Sequence, residues 1–156
     1  MTSTVQKILI ATDGSDYSKN AIIQGMELAI LVNAKVYVLY VLDKKAYAPP
    51  ILKTSISLGS KWDVIEETLR QEGDEAIQYA KKIAEDKGVD IETVILEGAP
   101  AHTILEFAEQ SKVNLIILGA LGKGRFERFL LGSVADKVVK HSKISVLLVT
   151  DQIFNS

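Results

Sequence analysis

A chain of 156 residues with 47% apolar and 24% charged residues has the make-up of one globular domain with a substantial core, which excludes disordered and fibrous classes. The formal charge is −2, with lysines and acids interspersed along the predicted helices, so there is no basic face for nucleic acid and no polybasic membrane anchor. Cysteine is absent, which excludes disulfides and cysteine-based metal sites and suits a reducing compartment.

In chain order, residues 5–12 read as a first strand. Its apolar run at 8–11 is too short for a signal-peptide core and is stopped by Asp13. No stretch approaches the roughly 18 apolar residues that span a bilayer, so the expectation is a cytoplasmic protein with no membrane partner. Gly14-Ser15-Asp16 is a turn in which Ser15 or Asp16 caps a helix. Ala21, Ile22, Gly25, Met26, Leu28, Ala29 and Val32 then recur at helical spacing. The unbroken apolar run 35–42 is a second strand, buried on both faces.

Residues 43–60 have no period and contain Pro49-Pro50, Gly59 and several serines. They read as a long loop, either a lid or binding segment or an excursion of no special role. Residues 61–87 form the longest helical pattern, with Trp62, Ile65, Leu69, Ala76, Ile77, Ala80, Ile83 and Ala84 on one face. Gly88 stops it, and Gly73 is a candidate kink. A third strand follows at 91–96. Gly98-Ala99-Pro100 opens another helix, whose inner stripe is Ile104, Leu105, Phe107 and Ala108. A fourth strand at 114–118, a last helix at 133–141 and a fifth strand at 145–150 complete the pattern. Five strands alternating with four helices imply an α/β domain with one open parallel sheet. Ligand sites in such sheets lie beyond the carboxyl ends of the strands, where the strand order reverses.

The fourth strand delivers the most informative stretch, LIILGALGKGRFERFLLGS over residues 115–133. Strand, glycine-rich loop and helix start follow one another. That order lets backbone N–H groups close around a phosphate, because glycine permits φ > 0 and offers no Cβ to block an anion. The helix start adds its own N–H groups and the positive end of its dipole. Lys123, Arg125 and Arg128 lie in the loop as phosphate partners, or as ordinary solvated charges with Glu127 as a local partner. A Walker-type loop is excluded, since there is no G-x-x-x-x-G-K-[ST], and Gly119-x-x-Gly122-x-Gly124 has the wrong order for a dinucleotide fingerprint.

Gly119-x-x-Gly122, nine residues, then Gly132-Ser133 resembles the ATP-binding signature of the universal stress protein family, and the match runs from LIATDGS at 9–15 to ISVLLV at 144–149. The resemblance implies a Rossmann-like, adenine nucleotide alpha hydrolase-like sheet of order 3-2-1-4-5 with helices on both faces. The whole chain, 1–156, would be a single such domain. The crevice would then lie between the first and fourth strands. The resemblance also assigns residues. Thr12 and Val41 would pair their backbone groups with the adenine edge, and Leu118 and Val134 would line the same pocket. Gly119, Gly122, Gly132 and Ser133 would contact phosphate and ribose.

Position alone leaves Asp13 two roles, closing the turn before Gly14 or holding a ribose hydroxyl or a divalent cation. The resemblance favours the ribose, with a magnesium contact through Mg-ATP as a further candidate. Ser133 is equally a helix N-cap, and Leu118, Val41 and Val134 are ordinary core candidates. The chain departs from the family pattern at Ala120 and Leu121, where a hydroxyl residue and a histidine or arginine are usual. Asn114 replaces a usual aspartate, and Ile144-Ser145 replaces a proline-containing approach; both read as structural. His102 and His141 lack metal spacing, and there is no nucleophile elbow.

The resulting expectation is an ATP-binding regulator or switch, with ADP or AMP as alternative ligands and Mg²⁺ alongside. Hydrolysis would be slow, since no catalytic base, P-loop lysine or arginine finger is evident. One rival is an adenylating ligase or ATP pyrophosphatase, of which Asp13-Gly14-Ser15-Asp16 carries only a faint echo. The other is a non-nucleotide interaction module of the same fold. The last strand, residues 144–149 from Ile144 to Val149, is an apolar sheet edge that implies a homodimer.

Overall fold

The computed structural model describes residues 4–47, 58–122 and 131–150. The elements run β1 (Lys7–Thr12), α1 (Asp16–Val32), β2 (Lys35–Leu42), α2 (Lys44–Tyr47), α3 (Leu58–Lys87), β3 (Ile91–Glu97), α4 (Pro100–Gln110), β4 (Leu115–Gly119), α5 (Ser133–His141) and β5 (Ser145–Val149). The five strands form one sheet in the order β3-β2-β1-β4-β5, all neighbours parallel. This is the expected Rossmann-like α/β topology.

Strand alternation divides the core in two. Ile8, Ile10, Val36, Val38 and Tyr40 point to one face, where α1 and α3 supply Ala21, Ile22, Met26, Leu69, Ile77 and Ala80. Leu9, Ala11, Tyr37, Leu39, Ile116 and Leu118 point to the other, against Ile104 and Ala108 of α4 and Ala135 and Val138 of α5. Because both faces are covered, β2 reads as a continuous apolar run. Phe107 completes the α4 side with an edge-on contact to Tyr37, ring centroids 5.6 Å apart.

Three details depart from expectation. A fifth helix, α2, occupies Lys44–Tyr47 inside the segment read as a loop, and α3 begins at Leu58 rather than 61. Asp43 starts α2 by accepting a hydrogen bond from the Lys45 N–H at 3.2 Å. Gly73 does not divide α3, which runs as one element. A Cβ there would lie 2.9 Å from the Tyr40 ring, so the glycine makes room for a buried aromatic. Gly88 ends α3 with φ +69°, as a left-handed stop requires.

The register shows where the sheet opens. β1 pairs with β2 as far as Thr12↔Tyr40, and β4 with β5 as far as Gly119↔Val149. Between β1 and β4 the pairing stops at Ile10↔Ile117. The last residues of these two strands therefore part, and their following loops turn to opposite sides.

Candidate functional site

A cleft of about 290 Å³ opens where β1 and β4 separate. Thr12, Asp13, Val41, Leu118, Gly119, Gly122, Gly132, Ser133 and Val134 all line it. The structure thus brings together, from four places in the chain, every described residue singled out from sequence. Lys123 and Arg125, together with Arg128, lie outside the described residues.

The loop after β1 is built by side-chain hydrogen bonds. Ser15 is the N-cap of α1, accepting from the Ser18 N–H at 3.3 Å. Asp13 Oδ1 accepts from the Ser15 N–H at 2.9 Å, closing an Asx turn around Gly14, which sits at φ +83°. The Thr12 hydroxyl accepts from the Gly14 N–H at 3.2 Å and donates to Ser18 Oγ at 3.0 Å. Ser18 in turn donates to the Ser15 carbonyl at 2.8 Å.

The loop after β4 is built differently. The Ala120 N–H donates to the Val149 carbonyl at 2.9 Å, and the Gly132 N–H donates to the Ala120 carbonyl at 2.8 Å. One residue, Ala120, thus ties the loop both to the end of β5 and to the start of α5. The glycines here are needed for space. None of Gly119, Gly122 and Gly132 lies at positive φ, so of the two uses expected of glycine, left-handed backbone and the lack of a Cβ, the first does not apply here. A Cβ on Gly122 would sit 2.6 Å from Asp13 Oδ2, and one on Gly132 would sit 3.1 Å from the Ala120 carbonyl oxygen. A Cβ on Gly119 would meet Tyr17 at 3.0 Å. The N-cap of α5 is Gly132, so Ser133 is the first helical residue and not the cap. Gly132 has no side chain with which to cap that helix start.

Leu121, one of the two departures from the family pattern, is 7% exposed and forms part of the cleft wall. Asn114, a further replacement, is structural: its Oδ1 accepts from the N–H groups of Gln6 and Lys7, both at 2.9 Å. Ser142 performs a similar service before β5, its hydroxyl accepting from the Ile144 N–H at 3.0 Å.

Asp43 stands at the cleft rim next to an ion-pair network. Lys44 Nζ lies 3.0 Å from Glu97 and 3.4 Å from Glu66, and Glu66 lies 3.2 Å from Arg70. Hydrogen bonding to Glu97, with Glu66 second among its partners, holds the Lys44 ammonium above its usual range. Arg70 first and Lys44 next hold the Glu66 carboxyl below its own. Among the described residues no group of three or more His, Cys, Asp or Glu could hold a metal ion, and no helix is long and apolar enough to cross a membrane. His102 is engaged with Glu106 on the outside of α4 at 3.1 Å.

Sequence reasoning missed Ser18, Leu69, Pro100 and Ile104 as cleft-lining residues. Leu69 and Ile104 follow the helical core period, which carries no sign that their helix ends at an opening. Ser18 did leave a signal, a second serine three residues beyond the cap.

The family model for the universal stress protein family matches residues 4–150. The chain belongs to the universal stress protein family. Universal stress protein MJ0531 of Methanocaldococcus jannaschii is 43% identical over 144 residues, covering 92% of this chain and 81% of that one. Universal stress protein YxiE of Bacillus subtilis is 34% identical, with 92% and 97% covered. Among solved structures, MJ0577, whose biochemical function was assigned from its structure, superposes with a TM-score of 0.82 at 29% identity, covering 99% of this chain and 100% of that one. A universal stress protein in complex with cAMP superposes at 0.65 with 28% identity, covering 94% and 98%.

Proposed function

We propose that the cleft binds an adenine nucleotide, in the first place ATP with ADP or AMP as alternatives, and that this universal stress protein acts as a nucleotide-dependent regulator. The observation that carries the reading is the close approach of Gly122 to the Asp13 carboxylate and of Gly132 to the Ala120 carbonyl, where a Cβ would lie 2.6 and 3.1 Å from those oxygens, beside the start of α5. A cradle kept free of Cβ atoms beside helix N–H groups suits a phosphorylated ligand. The relative solved with cAMP supports an adenine nucleotide as its class. Thr12 and Val41 would meet the base through backbone groups, Leu118 and Val134 would pack against it, and Asp13 would hold the ribose. Gly119, Gly122, Gly132 and Ser133 would receive the phosphates, with Lys123 and Arg125 as charge partners. Mg²⁺ would accompany ATP, with Asp13 as its nearest candidate ligand.

The regulator would be cytoplasmic and would turn ATP over slowly if at all. To act as a switch, nucleotide must bind one conformation better than another. The burial of Leu121 in the cleft wall is the observation that favours the second reading, a dimeric interaction module that takes no nucleotide.

Denaturing the purified protein should release adenine nucleotide for chromatography, and calorimetry on emptied protein should give a saturable heat with ATP. Neither nucleotide nor heat would overturn the reading in favour of the second. Either function is proposed for a homodimer through β5, an edge strand whose Leu147 is 39% exposed, with Val139 of α5 at 45%. Leu147→Pro and the milder Leu147→Lys should both sediment as monomers; an unchanged dimer in both would remove this interface.

A further inference from the structure

The one-turn helix α2 has little stability of its own, since a single turn fixes more backbone than its hydrogen bonds repay. Backbone pairing holds the chain as far as Leu42, whose carbonyl accepts from the Gly98 N–H at 3.0 Å just past the end of β3. From there the attachment passes through side chains. Asp43 Oδ1 accepts from the Lys45 N–H, and Lys44 Nζ reaches Glu97 at the end of β3 (3.0 Å) and Glu66 on α3 (3.4 Å). Arg70, one turn along α3, holds the other oxygen of Glu66 at 3.2 Å. One ammonium thus joins α2, α3 and β3. Asp43 and Leu69, neighbours in sequence of this network, line the cleft on its β2 side. The side chains of Lys44, Glu66 and Glu97 are 28%, 34% and 50% exposed, so salt can screen the charges they share.

We propose that Lys44 is an ionic latch that holds α2 and Asp43 against the β2 side of the cleft, and that its release by salt speeds the departure of a bound nucleotide. The second half rests on the nucleotide reading above; the first does not. An exposed ion pair contributes little alone, but loss of Lys44 also leaves Glu66 and Glu97 facing each other as like charges. The rim of the cleft then loses its anchor. Loosening a wall lowers the barrier to leaving and to entering alike, so the rate of exchange changes more than the equilibrium affinity.

Two readouts test the two halves: magnetic relaxation of the Lys45 amide, and release of radiolabelled ATP into excess unlabelled ATP. Both are taken on wild type, Lys44→Met and Lys44→Arg at about 50 mM and about 500 mM KCl. At low salt the Lys45 amide of wild type should have an order parameter of about 0.85, and in Lys44→Met it should fall below about 0.6. ATP should leave Lys44→Met about fivefold faster, with its equilibrium affinity changed less than about twofold. Wild type at high salt should approach Lys44→Met on both readouts, whereas Lys44→Arg keeps the charge and should match wild type. If Lys44→Met does not fold, Glu97→Gln removes the shorter pair alone and should move both readouts the same way. A Lys45 amide equally ordered in wild type and variant would overturn the latch. A loosened amide with unchanged ATP release would overturn its control of the cleft. Wild type that binds no ATP would overturn the nucleotide reading and that control together, while the Lys45 amide still decides the latch.

Discussion

Strands β1 and β4 are neighbours whose two ends are finished in opposite ways. At the amino end, Asn114 Oδ1 gathers the N–H groups of Gln6 and Lys7, the Asn114 N–H donates to the Lys7 carbonyl at 2.9 Å, and Val113 is buried beside them. At the carboxyl end the pairing is abandoned after Ile10↔Ile117, and the cleft fills the gap. The same pair of strands is closed where polar side chains face neighbouring backbone, and opened where Asp13 and the glycines meet. Closing an end satisfies donors and contributes to stability. Opening one withdraws backbone from the ladder and leaves groups for a ligand.

The largest effect on this contrast should come from filling the open end. Gly122→Val places branched carbon where even a single Cβ would lie 2.6 Å from Asp13 Oδ2, and overpacking of this kind should weaken ATP binding by about a hundredfold. The fold should persist, with the thermal midpoint moved by no more than about 3 °C, because Gly122 borders the opening rather than the core. Gly122→Ala sharpens the point, since its penalty should be largely lost in an Asp13→Ala background, where the clashing oxygen is gone. A double-mutant cycle in ATP affinity measures that coupling, and strictly additive losses would show that Asp13 is not what demands the glycine.

The closed and open ends also differed in how far the sequence revealed them. Period and alternation were enough for the strands, because β2 buries both faces and α3 keeps one apolar stripe over its described length. Four residues of α2 carry no period, and its start depends on Asp43, a cap indistinguishable from a loop acid. Asp13 was legible because it follows directly on β1, and Gly119 and Gly122 because they end and follow β4 at a regular spacing. Which use the glycines serve was not. Of the two that sequence offered, positive φ and the lack of a Cβ, only the second applies, because folding brings a carboxylate close to Gly122 and a carbonyl close to Gly132. Ser18 and Ile104 were hidden for a related reason, since a helix face turned toward core and one turned toward a cleft have the same spacing. Family resemblance supplied the strand order, which no local pattern encodes, and the register then located the split between β1 and β4.

At the closed end the expected effect is smaller and of a different kind. Asn114→Ala removes an acceptor shared by two backbone N–H groups that water can partly reach. The cost should be about 1 kcal/mol, or a fall of about 3 °C in the thermal midpoint. Asn114→Asp keeps an acceptor at the same atom position and should hold the midpoint within about 1 °C of wild type. Neither substitution should alter ATP affinity, because Asn114 stands before β4 while the cleft lies beyond its far end. Thermal unfolding and calorimetry on the same samples separate the two quantities. A loss of affinity without a loss of stability would mean that the two ends of the β1–β4 pair communicate, and that the closed end sets how far the open end parts.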